Sequence, residues 1–248
     1  MIERRIEAQR DHPRYEGRDF TDDEVAHRGH RKYVGGKWDE MGQLQLDFLV
    51  AHGLRPDMRF LDVGCGSFRA GRHLVRYLEP GHYYGIDINE HVIETGYTVE
   101  LTDEERSRLP LENLRMTDRF DADFGVRFDM AIAQSVFTHV SLNHIRLCLY
   151  RVAKVMRPGG LFYATFRERP RDYPIDGMAP NFYTERNEFW YYRRDLKWAA
   201  ERTPFEYRYI GNWDQPRGQR MVEYTRTDAP IEFTEPSHDV DPDESPDS

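Results

Sequence analysis

The chain has 248 residues, 39% of them hydrophobic and 13% aromatic, enough to close one sizeable core. Its formal net charge of −9 argues against a generally basic surface for nucleic acid. No run of about 18 apolar residues occurs, so no membrane span is expected. The charged start "MIERRIEAQR" has no apolar leader, and the two cysteines, Cys65 and Cys148, lack metal-ligand or disulfide spacing. A cytoplasmic protein is expected.

Residues 1–36 are rich in Arg, Asp, Glu and His and end in the Gly-Gly hinge of "YVGGKW". They read as an N-terminal arm or lid. "MGQLQLDFLVAHGL" puts Met41, Leu44, Phe48 and Ala51 on one helical face, and Gly53 stops it. "RFLDVG" predicts a buried strand, "RAGRHLVRYL" a helix and "YYGIDI" a second strand. "NEHVIETGYTVEL" predicts a helix capped by an Asn, and "NLRMTD" a short strand. "FDMAIAQS" is a further strand. Ser141 then caps a helix whose Leu142, Ile145, Leu149, Val152 and Met156 recur every three or four residues until "RPGG" ends it; "LFYATF" follows as a strand. Residues 228–248 are acidic and Pro-rich and predict a disordered tail.

This alternation predicts an α/β fold, a mostly parallel sheet with helices on both faces and right-handed crossovers. Ligands of such sheets bind outside the carboxyl ends of the strands. "FLDVGCGSFRAGRHL" lies at one of those ends. Gly64 and Gly66 remove side chains that would keep a ligand off the turn, and the following helix start offers unpaired N–H groups. The next strand ends at Asp87, about 20 residues on, where a carboxylate can accept both hydroxyls of a ribose. A nucleoside-containing cofactor follows. The run Gly64, Gly66, Arg69, Gly71 departs from the G-x-G-x-x-G of dinucleotide sites.

"LDVGCGSFRAGRHL", "YGIDIN", "FDMAIAQSVFTHV" and "VAKVMRPGGLFYATF", in this order, resemble the successive motifs of the class I S-adenosylmethionine-dependent methyltransferases, from about Trp38 to about Arg226. The resemblance implies a Rossmann-like, seven-stranded sheet whose last strand is antiparallel, within a methyltransferase domain at 37–227. It implies S-adenosyl-L-methionine as cofactor. Asp62, Gly64 and Gly66 would then lie against its methionine part, Asp87 would hold the ribose and Ile88 would sit beside the adenine. Asp118 and Arg119 would cap the adenine, and Gln134 and Ser135 would border the methionine and the reacting methyl. Phe68 stands where many members carry a further glycine. The family's last strands fall in "FEYRYIGNW" and "RMVEYTR".

The fourth strand's exit reads "QSVF", without the Asn or Asp, prolines and aromatic of the DNA and RNA amino-methyltransferases of this class. With the net charge, this points to a small-molecule acceptor and away from nucleic acid. An alcohol acceptor needs a base, and His139 directly follows that exit; His144, in the first turn of the next helix, is the second candidate. No metal is expected, although His27 and His30 with Asp22, Asp23 and Glu24 form an isolated His-x-x-His cluster. The stretch 167–195 is longer than an ordinary connection and carries Tyr173, Phe182, Tyr183, Phe189, Trp190, Tyr191 and Tyr192 among several arginines. It predicts a substrate lid suited to a saccharide or a glycosylated metabolite. Arg217 and Gln219 fall in the turn between the last two strands. N-methylation, carboxyl methylation and a non-catalytic binding subunit are the alternatives.

Overall fold

The computed structural model describes residues 20–33, 35–170 and 189–231. The expected tail beyond 231, the stretch 171–188 of the expected lid, and residues 1–19 and 34 of the arm lie outside the described residues. Three helices come first, α1 (Asp22–Ala26), α2 (Gly29–Tyr33) and α3 (Trp38–Ala51). The alternating part runs β1 (Phe60–Val63), α4 (Gly71–Tyr77), β2 (Tyr83–Asp87), α5 (Glu90–Thr95), α6 (Asp103–Arg108), β3 (Leu114–Met116), β4 (Phe128–Ala133), α7 (Leu142–Val155) and β5 (Met156–Glu168). It closes with β6 (Trp190–Tyr191), α8 (Arg193–Ala200), β7 (Phe205–Gly211) and β8 (Arg220–Arg226).

The sheet order is β3-β2-β1-β4-β5-β8-β7, with the short β6 beside the end of β5. Strands β1 to β5 run parallel, and β8 lies antiparallel between β5 and β7. Alternation along the strands divides the apolar residues between two faces. Leu61, Val63, Ala131, Ala133 and Phe162 meet Ile145, Leu149 and Val152 of α7, while Phe60, Met130, Ile132 and Tyr163 meet Leu49 of α3 and Leu74 of α4. Each fully buried side chain of this size stabilises the fold by about 1.5 to 3 kcal/mol. These two layers hold the carboxyl ends of β1, β2 and β4 side by side.

Three local expectations are corrected. In α3 the buried face is Trp38, Met41, Gly42, Gln45 and Leu49, with Leu44 and Phe48 partly buried beside it, while Ala51, two residues past Leu49 and so roughly 200° further round the helix, is exposed. The helix after β2 widens into a π-helical turn over Gly96–Glu100. There, a Cβ on Gly96 would lie 2.5 Å from the Cα of Ser67, so the backbones touch. Finally, β5 begins at Met156, and "RPGG" forms an irregularity inside it rather than a separate turn.

The described residues before α3, expected as an arm, are anchored to the rest of the fold. Thr21 and Glu24 form a reciprocal cap at the start of α1. From α2, fully buried His30 meets Glu100 Oε1 through Nε2 at 2.6 Å, and Arg31 donates to both Glu100 oxygens at 2.6 Å. His30 of the expected His-x-x-His cluster is thus turned to a carboxylate across the fold, while His27 is exposed beside Asp23.

Candidate functional site

The turn after β1 is built by glycine geometry. Gly64 has φ +75°, and a Cβ there would stand 2.4 Å from Cγ2 of Val136, in the segment leaving β4. The N–H groups of Gly64 and Cys65 both donate to the Ile86 carbonyl, at 2.8 and 3.0 Å. The turn is therefore drawn over the end of β2 with bare backbone facing the β4 exit.

Asp87 closes it from the other side. Its Oδ2 accepts from the Gly66 N–H at 2.8 Å and its Oδ1 from the Asn89 N–H at 3.1 Å. Burial raises its carboxyl above the ordinary range, opposed by the backbone N–H groups of Asn89, Gly66 and Ile88. Asp62 is buried beneath the turn, and burial lifts it to about 7 although the Tyr83 hydroxyl donates to it at 2.9 Å. Asp87 nearby raises it further and Arg69 opposes. The half-buried Ile88 follows Asp87, and the loop after β3 is tied to the same strand end by the Thr117 N–H to the Asp87 carbonyl, 2.8 Å. Asp118 and Arg119 are exposed on that loop, and the Arg119 N–H donates to Thr117 Oγ1 at 3.2 Å.

Gln134 and Ser135 leave β4 beside the glycine turn. Ser135 has φ +64°, in the left-handed region, and its N–H donates to Thr165 Oγ1 at 2.7 Å. Gln219, at the start of the last strand, reaches this exit with its side-chain oxygen. His139 is half-buried in the turn that follows, and its N–H donates to the Val136 carbonyl at 2.9 Å. The segment that begins at Phe189 docks on the same turn: the Phe189 N–H donates to the Thr138 carbonyl at 2.8 Å and the Tyr191 hydroxyl to the Val140 carbonyl at 2.6 Å. His144 stands one helical turn away, its Nδ1 2.8 Å from Ser141 Oγ.

The structure thus brings Asp62, Gly64, Gly66, Asp87, Ile88, Gln134, Ser135 and His139 to one edge of the sheet, with Asp118 and Arg119 on the flanking loop. Two features were not read from the sequence. Phe68 itself adopts φ +64°, and its fully buried ring fills the space where Gly71 and Gly96 lack side chains. The glycine expected at position 68 is replaced by two glycines that make room for a ring. Second, Arg69 and Arg217 donate to the carbonyls of Gly36 and Gly35, so the Gly-Gly pair joins the glycine turn to the β7–β8 turn. Burial, then the Arg217 charge, lowers the Arg69 guanidinium to about 10, still cationic at neutral pH.

The site fits a cofactor on two counts. The backbone cradle at Gly64 has no room for a Cβ, and Ser67 Oγ and Gln134 Oε1 are buried without a hydrogen-bond partner among the described residues. Among those residues no group of three or more His, Cys, Asp or Glu could hold a metal ion, and no helix is long and apolar enough to cross a membrane.

Residues 61–162, from β1 to the middle of β5, match the family model described as a methyltransferase domain. This stretch is similar to methyltransferase domains, and the fold is that of the class I S-adenosylmethionine-dependent methyltransferases. The cofactor of this family is S-adenosylmethionine. Solved methyltransferases share its fold. Magnesium protoporphyrin IX methyltransferase from Synechocystis, crystallised with S-adenosylmethionine, is 16% identical at a TM-score of 0.57, covering 85% of this chain and 87% of that one. An O-methyltransferase family protein from Burkholderia thailandensis gives 12% identity and a TM-score of 0.60 over 82% of this chain and 61% of its own. An S-adenosylmethionine-dependent methyltransferase from Clostridium acetobutylicum gives 12% and 0.55 over 82% and 96%. At such identities the likeness is one of fold. The sheet's last strand, antiparallel between β5 and β7, is the one the sequence motifs implied.

Proposed function

We propose that this methyltransferase moves the methyl group of S-adenosylmethionine to a hydroxyl oxygen of a small molecule, with a saccharide or glycosylated metabolite as the acceptor class and without nucleic acid as substrate. The observation that carries this reading is the position of His139. It is held half-buried in the turn after the β4 exit, between the glycine turn and the aromatic segment 189–192.

When bound, the cofactor supplies a methyl on a positively charged sulfur, so transfer is an in-line displacement at carbon. The protein's work is positioning. Asp87 would hold the ribose hydroxyls, the Gly64–Gly66 backbone and Gln134 with Ser135 would line the methionine part, and the loop bearing Asp118 and Arg119 would cover the adenine beside Ile88. His139 takes the alcohol proton onto a ring nitrogen as the oxygen attacks. His144, already engaged with Ser141, serves the start of α7 in this reading. Phe189, Trp190 and Tyr192 offer apolar ring surface for a sugar face, and Arg167 and Arg169, stacked over Trp190 and Tyr192, offer hydrogen-bond donors.

The test is incubation with methyl-labelled cofactor and a fractionated metabolite extract, with mass spectrometry of whatever gains the label. A labelled hydroxyl on a saccharide-bearing compound supports the reading. A labelled amine or carboxylate transfers the function to the N- or carboxyl-methylating alternative, and label in added RNA or DNA overturns the small-molecule assignment.

A further inference from the structure

Gln219 is buried at the end of the β7–β8 turn, 3% exposed, and its side-chain oxygen is the target of three donors. Thr165 Oγ1 lies at 2.8 Å, Ser135 Oγ at 3.0 Å and Gln134 Nε2 at 3.3 Å. Thr165 Oγ1 gives its single hydrogen to Gln219, which leaves a lone pair to accept the Ser135 N–H at 2.7 Å. Ser135 is therefore gripped at its amide through Thr165 and at its hydroxyl by Gln219 directly. The turn behind Gln219 is fixed in the same way: Gln215 Oε1 accepts the N–H groups of Arg217 and Gln219 at 2.8 and 3.1 Å.

This grip has a purpose because Ser135 is a non-glycine residue at φ +64°. Such a conformation is disfavoured for a residue with a side chain and persists only where surrounding bonds over-determine it. Gln134, also held by Gln219, keeps its own Oε1 buried and without a partner among the described residues. The network consumes the donors at the β4 exit and leaves an acceptor there.

We propose that Gln219 is a positioning residue that sets the β4 exit for the methionine end of the cofactor, by holding Ser135 in its left-handed conformation and fixing the amide nitrogen of Gln134. The proposal rests on the methyltransferase reading. It requires an acceptor at position 219, not an amide as such. Three donors on one carbonyl oxygen exceed its two lone pairs, so a carboxylate, with about four acceptor sites, satisfies them all.

The experiment is calorimetric titration of wild type, Gln219→Met and Gln219→Glu with S-adenosylhomocysteine and with methylthioadenosine, which keeps the nucleoside and lacks the amino-acid end. Gln219→Met is expected to weaken S-adenosylhomocysteine about tenfold, the worth of one hydrogen bond, and to leave methylthioadenosine unchanged. Gln219→Glu is expected to restore the wild-type value. Equal weakening of both ligands, an unchanged Gln219→Met, or a Gln219→Glu variant as weak as Gln219→Met overturns the proposal. If Gln219→Met does not fold, Thr165→Val decides, with the same selective loss expected and unchanged affinity refuting. A wild type that binds neither ligand refutes the methyltransferase reading itself, a separate outcome.

Discussion

Replacing Asp87 by alanine separates cofactor recognition from folding. A carboxylate offers about four acceptor positions. The N–H groups of Gly66 and Asn89 use two, one on each oxygen, and the remaining pair matches the two hydroxyls of a ribose. Bonds to a charged acceptor contribute about 1.5 to 3 kcal/mol each at best, and both hydroxyls are well hydrated when free, so the expected loss is about 2 to 3 kcal/mol in total. This is about 30- to 150-fold in the dissociation constant of S-adenosylhomocysteine. Calorimetry measures it, and an analogue lacking both ribose hydroxyls completes the cycle. Wild type should already bind that analogue weakly, and Asp87→Ala should weaken it little further. The freed N–H groups of Gly66 and Asn89 also cost stability, about 2 to 8 °C in melting temperature. Unchanged affinity for S-adenosylhomocysteine, or an equal loss for both ligands, would refute a ribose role.

Asp62 gives a pH test. Its folded-state value of about 7 stands above the ordinary 3.8, so it stabilises the ligand-free fold fully below about pH 4 and loses that contribution as pH rises through 7. The loss is on the order of 4 kcal/mol at most. Asp62→Asn should therefore melt above wild type at pH 8 and converge with it at pH 4; parallel profiles would contradict the burial argument. Glu100→Ala strands His30 and Arg31, so denaturant unfolding should show a loss of roughly 3 to 5 kcal/mol, and a near-neutral result would mean that the arm does not rely on this cluster. For His139→Ala, turnover should fall by about 10²- to 10⁴-fold at unchanged cofactor affinity. Full activity in the variant would remove the histidine base.

The parts of the site legible in the sequence are those fixed by local chemistry. A glycine turn after a buried strand and an acid at the end of the next strand need only neighbouring residues, which is why Gly64, Gly66 and Asp87 stand where their pattern put them. The alternation of strand-like and helical runs likewise carried the mostly parallel sheet with helices on both faces. What was not legible depends on partners far apart in the chain. The ring of Phe68 at a positive φ makes sense only once Gly71 and Gly96 are seen to clear space for it. His30 and Glu100 are 70 residues apart, and Gln219 and Gln134 are 85 apart. His27 and His30 stand beside Asp22, Asp23 and Glu24 in the sequence, whereas His30 finds its carboxylate, Glu100, across the fold.

The most direct test of the account is the titration of the wild-type protein with S-adenosylhomocysteine, the product that methyl transfer leaves behind, alongside NAD as a dinucleotide control. The geometry at Gly64, Gly66 and Asp87 predicts saturable one-to-one binding of S-adenosylhomocysteine and none of NAD. Absence of S-adenosylhomocysteine binding, with the protein folded by its melting transition, would contradict the account at its centre.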